Sequence, residues 1–180
     1  MRRYPAMEPQ RQEPDVVLVP GPLESAWSWV ATVVESGDLA AAWPHTDPNL
    51  RLVLAQSWIF THRTKPPVSG WNREELARGL VPVGSRHPLW AAFAARQVEK
   101  LRAWWGNPNL DEWGASIKGR VMAADHELIR FTPIESRPGR LPRPSSKGGG
   151  HLVLVRAFEE QWLVAGFDRN PPRPGWPPQG

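Results

Sequence analysis

Cysteine is absent from the 180 residues. Its absence excludes disulfides, a thiolate nucleophile and any cysteine metal site, and it fits a reducing compartment. Long apolar runs are missing too. The longest, Leu89 to Ala95, falls far short of the roughly 20 residues that cross a bilayer. After Arg2 and Arg3, the residues Pro5, Glu8, Pro9 and Glu13 stand where a signal peptide needs an apolar stretch. A soluble, cytoplasmic protein with no membrane partner is therefore expected. No G-x-S-x-G elbow, phosphate-binding loop or dinucleotide glycine fingerprint occurs, and Gly148–Gly150 reads as a hinge. Lysine is scarce, 4 against 18 arginines, which looks like the codon bias of a GC-rich bacterial genome.

Metal chemistry has little to build on. The histidines at 45, 62, 87, 126 and 151 are never three or four apart, so no helical ligand pair exists. In Asp125-His126-Glu127, strand geometry would point His126 away from both acids. Neither a metal nor a cofactor is expected.

What is present describes one domain. Proline (21) and glycine (15) together make one residue in five, under the roughly 25–30 % of a disordered chain. A chain of this length buries about 70 % of its unfolded surface. Residues 1–20 read as a Pro-rich arm, 21–170 as the body and 171–180 as a Pro-rich tail, because proline supports neither helix interiors nor central strands. The net charge of +4 has a single address. Arg137, Arg140, Arg143 and Lys147 lie within 136–150 with no acid among them, and they account for the whole excess. That segment is expected to be a mobile loop, with nucleic-acid contact limited to weak, salt-sensitive binding there.

The first half of the body has helical spacing. Pro22 opens a helix carrying Ala26, Trp27, Val30, Val33 and Val34 toward a stop at Gly37. Asp38 caps a short turn closed by Pro44, and Asp47-Pro48 starts a helix with the stripe Leu50, Val53, Leu54, Trp58 that runs to His62. Asn72 with Glu75 resembles a capping box for a helix ending near Gly79. The clearest helix runs from Pro88 to Trp105, with Trp90, Phe93, Ala94, Val98, Leu101, Trp104 and Trp105 on one face and Gly106-Asn107-Pro108 as its stop. The period then changes. Ile117, Gly119 and Val121 alternate with Lys118 and Arg120, His126 to Glu135 reads as a second strand, and His151–Phe158 with Gln161–Asp168 as a hairpin.

Helices followed by a curved antiparallel sheet form a recognisable order. The stretch from Glu35 through Gly37-Asp38 to Trp43, the closing His151–Phe167 hairpin and the Pro174–Pro178 tail resemble uncharacterised bacterial members of the nuclear transport factor two-like superfamily, over about residues 24–170. The resemblance implies an α+β fold with N-terminal helices packed on a cone-like half-barrel, a pocket between sheet and helices, and homodimers. The superfamily spans ketosteroid isomerase, scytalone dehydratase, limonene epoxide hydrolase, polyketide cyclases and many non-catalytic modules. None of their catalytic constellations maps onto this chain, so no residue role is carried over.

The eleven tryptophans are the outstanding feature. Most of them should be core, where large rings bury the most area, and the set as a whole suggests an aromatic-lined pocket. Trp27, Trp58, His62 and Trp104 are the expected lining. Arg130 and Arg156 lie within apolar strand faces, so each needs an anion, either Glu127 or Glu135 or a ligand carboxylate. Asp47 reads as a cap. The expected role is a non-catalytic module that binds an apolar, anionic small molecule or a partner's side chains, and that dimerises through the outer sheet face. One alternative is a cyclase-, isomerase- or dehydratase-type enzyme using His62, Asp125 or Glu127 as proton carriers on an apolar substrate. The other is an anionic-surface or nucleic-acid binder acting through the basic loop.

Overall fold

The computed structural model describes residues 19–106, 108–120, 123–135, 143–145 and 149–179. Most of the N-terminal arm and most of the basic loop lie outside these described residues. Five α-helices and five strands follow in chain order: α1 Pro22–Val30, α2 Leu39–Ala42, α3 Pro48–His62, α4 Arg73–Leu80 and α5 Trp90–Trp105, then β1 Trp113–Arg120, β2 His126–Glu135, β3 Arg143–Pro144, β4 His151–Phe158 and β5 Gln161–Gly166. The helices pack on one antiparallel sheet of order β1-β2-β4-β5, with β3 paired to the end of β2. The fold is α+β.

Side-chain caps set the helix starts. Asp38 accepts from Ala41 N at 2.9 Å, Asp47 from Asn49 N at 2.8 Å, and Asn72 from Glu74 N and Glu75 N at 2.9 and 3.3 Å. Gly106, at φ +84°, ends α5 in a conformation that a side chain would strain. The helical period of α1 continues through Glu35, but the last turn, Ala31–Glu35, widens to a π turn. Arg102 of α5 donates to the carbonyls of Val34 and Glu35 there, both at 2.7 Å. The start of β1 at Trp113 comes earlier than alternation alone indicates, since Trp113-Gly114-Ala115 does not alternate.

The core lies between the helices and one sheet face. Ile129, Phe131, Val153, Val155 and Val164 meet Trp29, Trp43, Trp58, Phe93 and Trp105 there. Trp43 sits edge-on to Trp90 and Phe93 at 5.2 and 5.6 Å, and its Nε1 donates to Val81 O at 3.0 Å. Each such ring pair adds about 0.5–1.5 kcal/mol beyond area burial. A smaller cluster of Leu128, Leu154 and Ala165 occupies the opposite face.

Asp47 ties the two layers at the β5 edge. Its N–H donates to Val164 O at 2.8 Å, and the neighbouring Thr46 bridges Val164. Oδ2 lies 2.6 Å from Arg156 Nη2, a charge contact without hydrogen-bond alignment. Arg156 is thus paired internally, with Asp47 in place of Glu127 or Glu135. The Pro-rich tail folds back on the body: Asn170 and Pro172 cover Gly166, Gly175 N donates to Gln56 Oε1 at 3.0 Å, and Trp176 packs against the core.

Candidate functional site

Helices α3 and α5 touch through the Trp58 and Phe93 rings, edge-on at 5.7 Å. Beside that contact they diverge, leaving an open groove of about 420 Å³. Trp58, Thr61 and His62 line it from α3, where three- and four-residue spacing stacks them on one face. Arg96, Gln97 and Lys100 line it from α5 by the same spacing.

Each wall residue has a distinct state. The buried Trp58 indole is the apolar floor, 5.3 Å from the His62 ring. His62 Nδ1 lies 2.8 Å from the Trp58 carbonyl oxygen. A carbonyl only accepts, so Nδ1 carries the proton, and in the neutral imidazole Nε2 keeps its lone pair. Arg96 is paired with Glu99, whereas Lys100 makes no ion pair among the described residues. Gln97 is 4 % exposed as a residue, and its amide, which makes no hydrogen bond among the described residues, keeps its polar atoms open to the groove. The groove therefore offers an aromatic plane, an amide with a free donor and acceptor, an imidazole lone pair and an ammonium.

The residues expected to share one pocket are dispersed. Trp58 and His62 meet in this groove; the other four do not line it. Trp27 stacks on Phe131 at 5.6 Å against the core. Trp104 is 39 % exposed, because Trp105 takes the core-facing position at the end of α5. Its ring lies 4.3 Å from His151, which the rings of Trp105 and Trp113 also enclose at 4.7 and 5.1 Å. His151 Nε2 donates to Trp105 O at 3.1 Å, and burial lowers the imidazole pKa despite that bond. Arg130 is on the opposite sheet face, since it alternates with Ile129 and Phe131.

Asp125 and Glu127 do not border the groove either. Asp125 lies in the turn before β2 rather than on the strand, so its carboxylate can meet the neighbouring imidazole, with Oδ1 2.9 Å from His126 Nδ1. That hydrogen bond holds the Asp125 carboxyl below its ordinary pKa. Glu127 stands in register with Arg120 and Val155. Among the described residues, no three histidine, aspartate or glutamate side chains gather as a metal site. No described helix is long and apolar enough to cross a membrane.

Gln97 and Lys100 are the site residues that sequence reasoning missed. The signal was a polar residue, Gln97, four positions from both Phe93 and Leu101 on an otherwise apolar stripe. No family model matches the chain, and neither a curated protein nor a solved structure matches it.

Proposed function

We propose that the protein is a non-catalytic binding module that holds a small ring-bearing, anionic molecule in the α3–α5 groove. Membership of the nuclear transport factor two-like superfamily is part of this reading, as is a cytoplasmic location. The Gln97 amide, presented to the groove beside the Trp58 floor and bonded to no other described group, carries it. An amide so placed offers a ligand one acceptor and two donors. The indole supplies apolar area, worth roughly 25 cal/mol per Å² covered, and Lys100 supplies the counter-charge.

The test is titration with 1-anilinonaphthalene-8-sulfonate, which has aromatic rings and one sulfonate. Saturable binding is expected, weakened about tenfold by Lys100→Gln as one charge contact disappears. Gln97→Leu should also weaken binding, because the ligand loses an amide donor and acceptor. Binding that ignores both substitutions would overturn the reading. A second reading rests on the His62 tautomer: a free Nε2 facing the groove is the state a general base needs. Turnover of an apolar substrate that is lost in His62→Gln, with sulfonate binding intact, would replace the binding module by an enzyme.

A further inference from the structure

The sheet face turned away from the helices carries a second groove, of about 780 Å³, that shares no residue with the first. Leu128 and Leu152 form its base. Around them stand three cations from separate parts of the chain: Lys118 of β1, Arg130 of β2 and Arg169 just after β5. No carboxylate lines the groove, and none of the three side chains makes a hydrogen bond or ion pair among the described residues. By contrast, Arg156 faces Asp47 and Arg96 faces Glu99. Three like charges gathered without a counter-ion raise the local positive potential and favour an anion.

Gly150 also lines the groove. A Cβ there would stand 2.5 Å from the Phe131 carbonyl oxygen and 3.1 Å from Arg130 Nε, so only glycine lets the backbone pass so close to β2 beside that guanidinium. Gly150 ends the 136–150 segment, which in sequence carries Arg137, Arg140, Arg143 and Lys147 and no acid.

We propose that this outer groove seats the phosphodiester backbone of a nucleic-acid strand. Guanidinium forks match phosphate oxygens, and three cations spread along a groove of about 780 Å³ suit a repeating anion better than a single one. The leucine base offers no ring for stacking and little to read a base edge, so recognition is of the backbone, without sequence preference. A symmetric contact between two copies through this face would bring these cations toward their mates, which disfavours a second copy as occupant. The site is independent of the ligand proposed for the α3–α5 groove.

The test measures anisotropy of labelled oligo-dT, and of a duplex of matched length, with the full chain at low salt. Lys118→Gln, Arg130→Gln and Arg169→Gln would be made together, with Arg78→Gln on α4 as a charge control. All three groove cations are exposed, so their loss should leave Tm unchanged. The triple variant should bind at least about tenfold more weakly than the control, with a salt dependence shallower by roughly 0.7 per lost phosphate contact on a single strand. The same loss should persist when Arg137, Arg140, Arg143 and Lys147 are all glutamine. Three outcomes would overturn the proposal: no oligonucleotide binding, a triple variant equal to Arg78→Gln, or inorganic pyrophosphate occupying the groove while oligo-dT fails to displace it.

Discussion

The two faces of the sheet are built from the same strands and have opposite economies. On the helix side, β2 contributes Ile129 and Phe131 to a continuous core of rings and branched aliphatics, where Trp29 Nε1 donates to Thr46 Oγ1 at 2.8 Å and the buried Trp105 Nε1 is left without a hydrogen-bond partner among the described residues. One residue away along the same strand, Leu128 belongs to a cluster of three buried residues and Arg130 is exposed beside Lys118. Alternation lets one strand serve stability on one side and solvent on the other. The lesson is that unpaired cations are tolerated where burial is least, so stability and charge can vary independently.

Substitutions on the two faces should separate cleanly. The largest loss is expected for Trp43→Ala on the helix side, about 3–5 kcal/mol by urea denaturation, since a fully buried ring leaves a cavity. Asp47→Ala comes next. Losing its cap costs about 1 kcal/mol, and stranding Arg156, whose side chain keeps 22 % exposure, brings the total to about 2–4 kcal/mol, below the range for fully buried pairs. Asp47→Asn, which retains the cap, should lose less. A smaller and pH-dependent effect belongs to His151. Burial lowers its folded pKa, so the unfolded chain takes up the proton first, and stability should decline as pH falls below about 6.5. His151→Gln should flatten that part of a Tm-against-pH curve; an unchanged curve would mean the Trp104–Trp105–Trp113 enclosure does not exclude the charged form. At the bottom of the scale, Arg130→Gln on the outer face should stay within about 0.5 kcal/mol of the parent. A large loss there would mean that the outer face also carries the fold.

Local chemistry made much of the fold legible. Asp47-Pro48, Asn72 and Gly106 announce helix ends through caps and a left-handed stop, and β2 occupies His126–Glu135, as its pattern indicates. Non-local geometry was not legible. The partner of Arg156 is Asp47, brought to it by the β5 edge, and nothing near Arg156 in the chain points there. The site was half legible. Trp58 and His62 are one turn apart and meet as their spacing indicates, but the Gln97 amide gains its meaning only when α5 crosses α3. Charge arithmetic concealed the outer groove, because a body neutral in sum can still gather three cations in one place.

The arrangement of the indoles has an optical consequence. Trp43 and Trp90 lie 5.2 Å apart, and Trp105 lies 5.8 Å from Trp104 and 4.9 Å from Trp113, all in fixed orientations. Neighbouring chromophores held so closely exchange excitation, and their relative tilt gives the near-ultraviolet circular dichroism its sign and strength. That signal vanishes when specific packing is lost even if helices survive. With a single tyrosine in the sequence, the spectrum belongs almost wholly to these rings. The folded chain therefore carries its own gauge of tertiary order, and a molecule settling on the Trp58 face would be seen through it without any label.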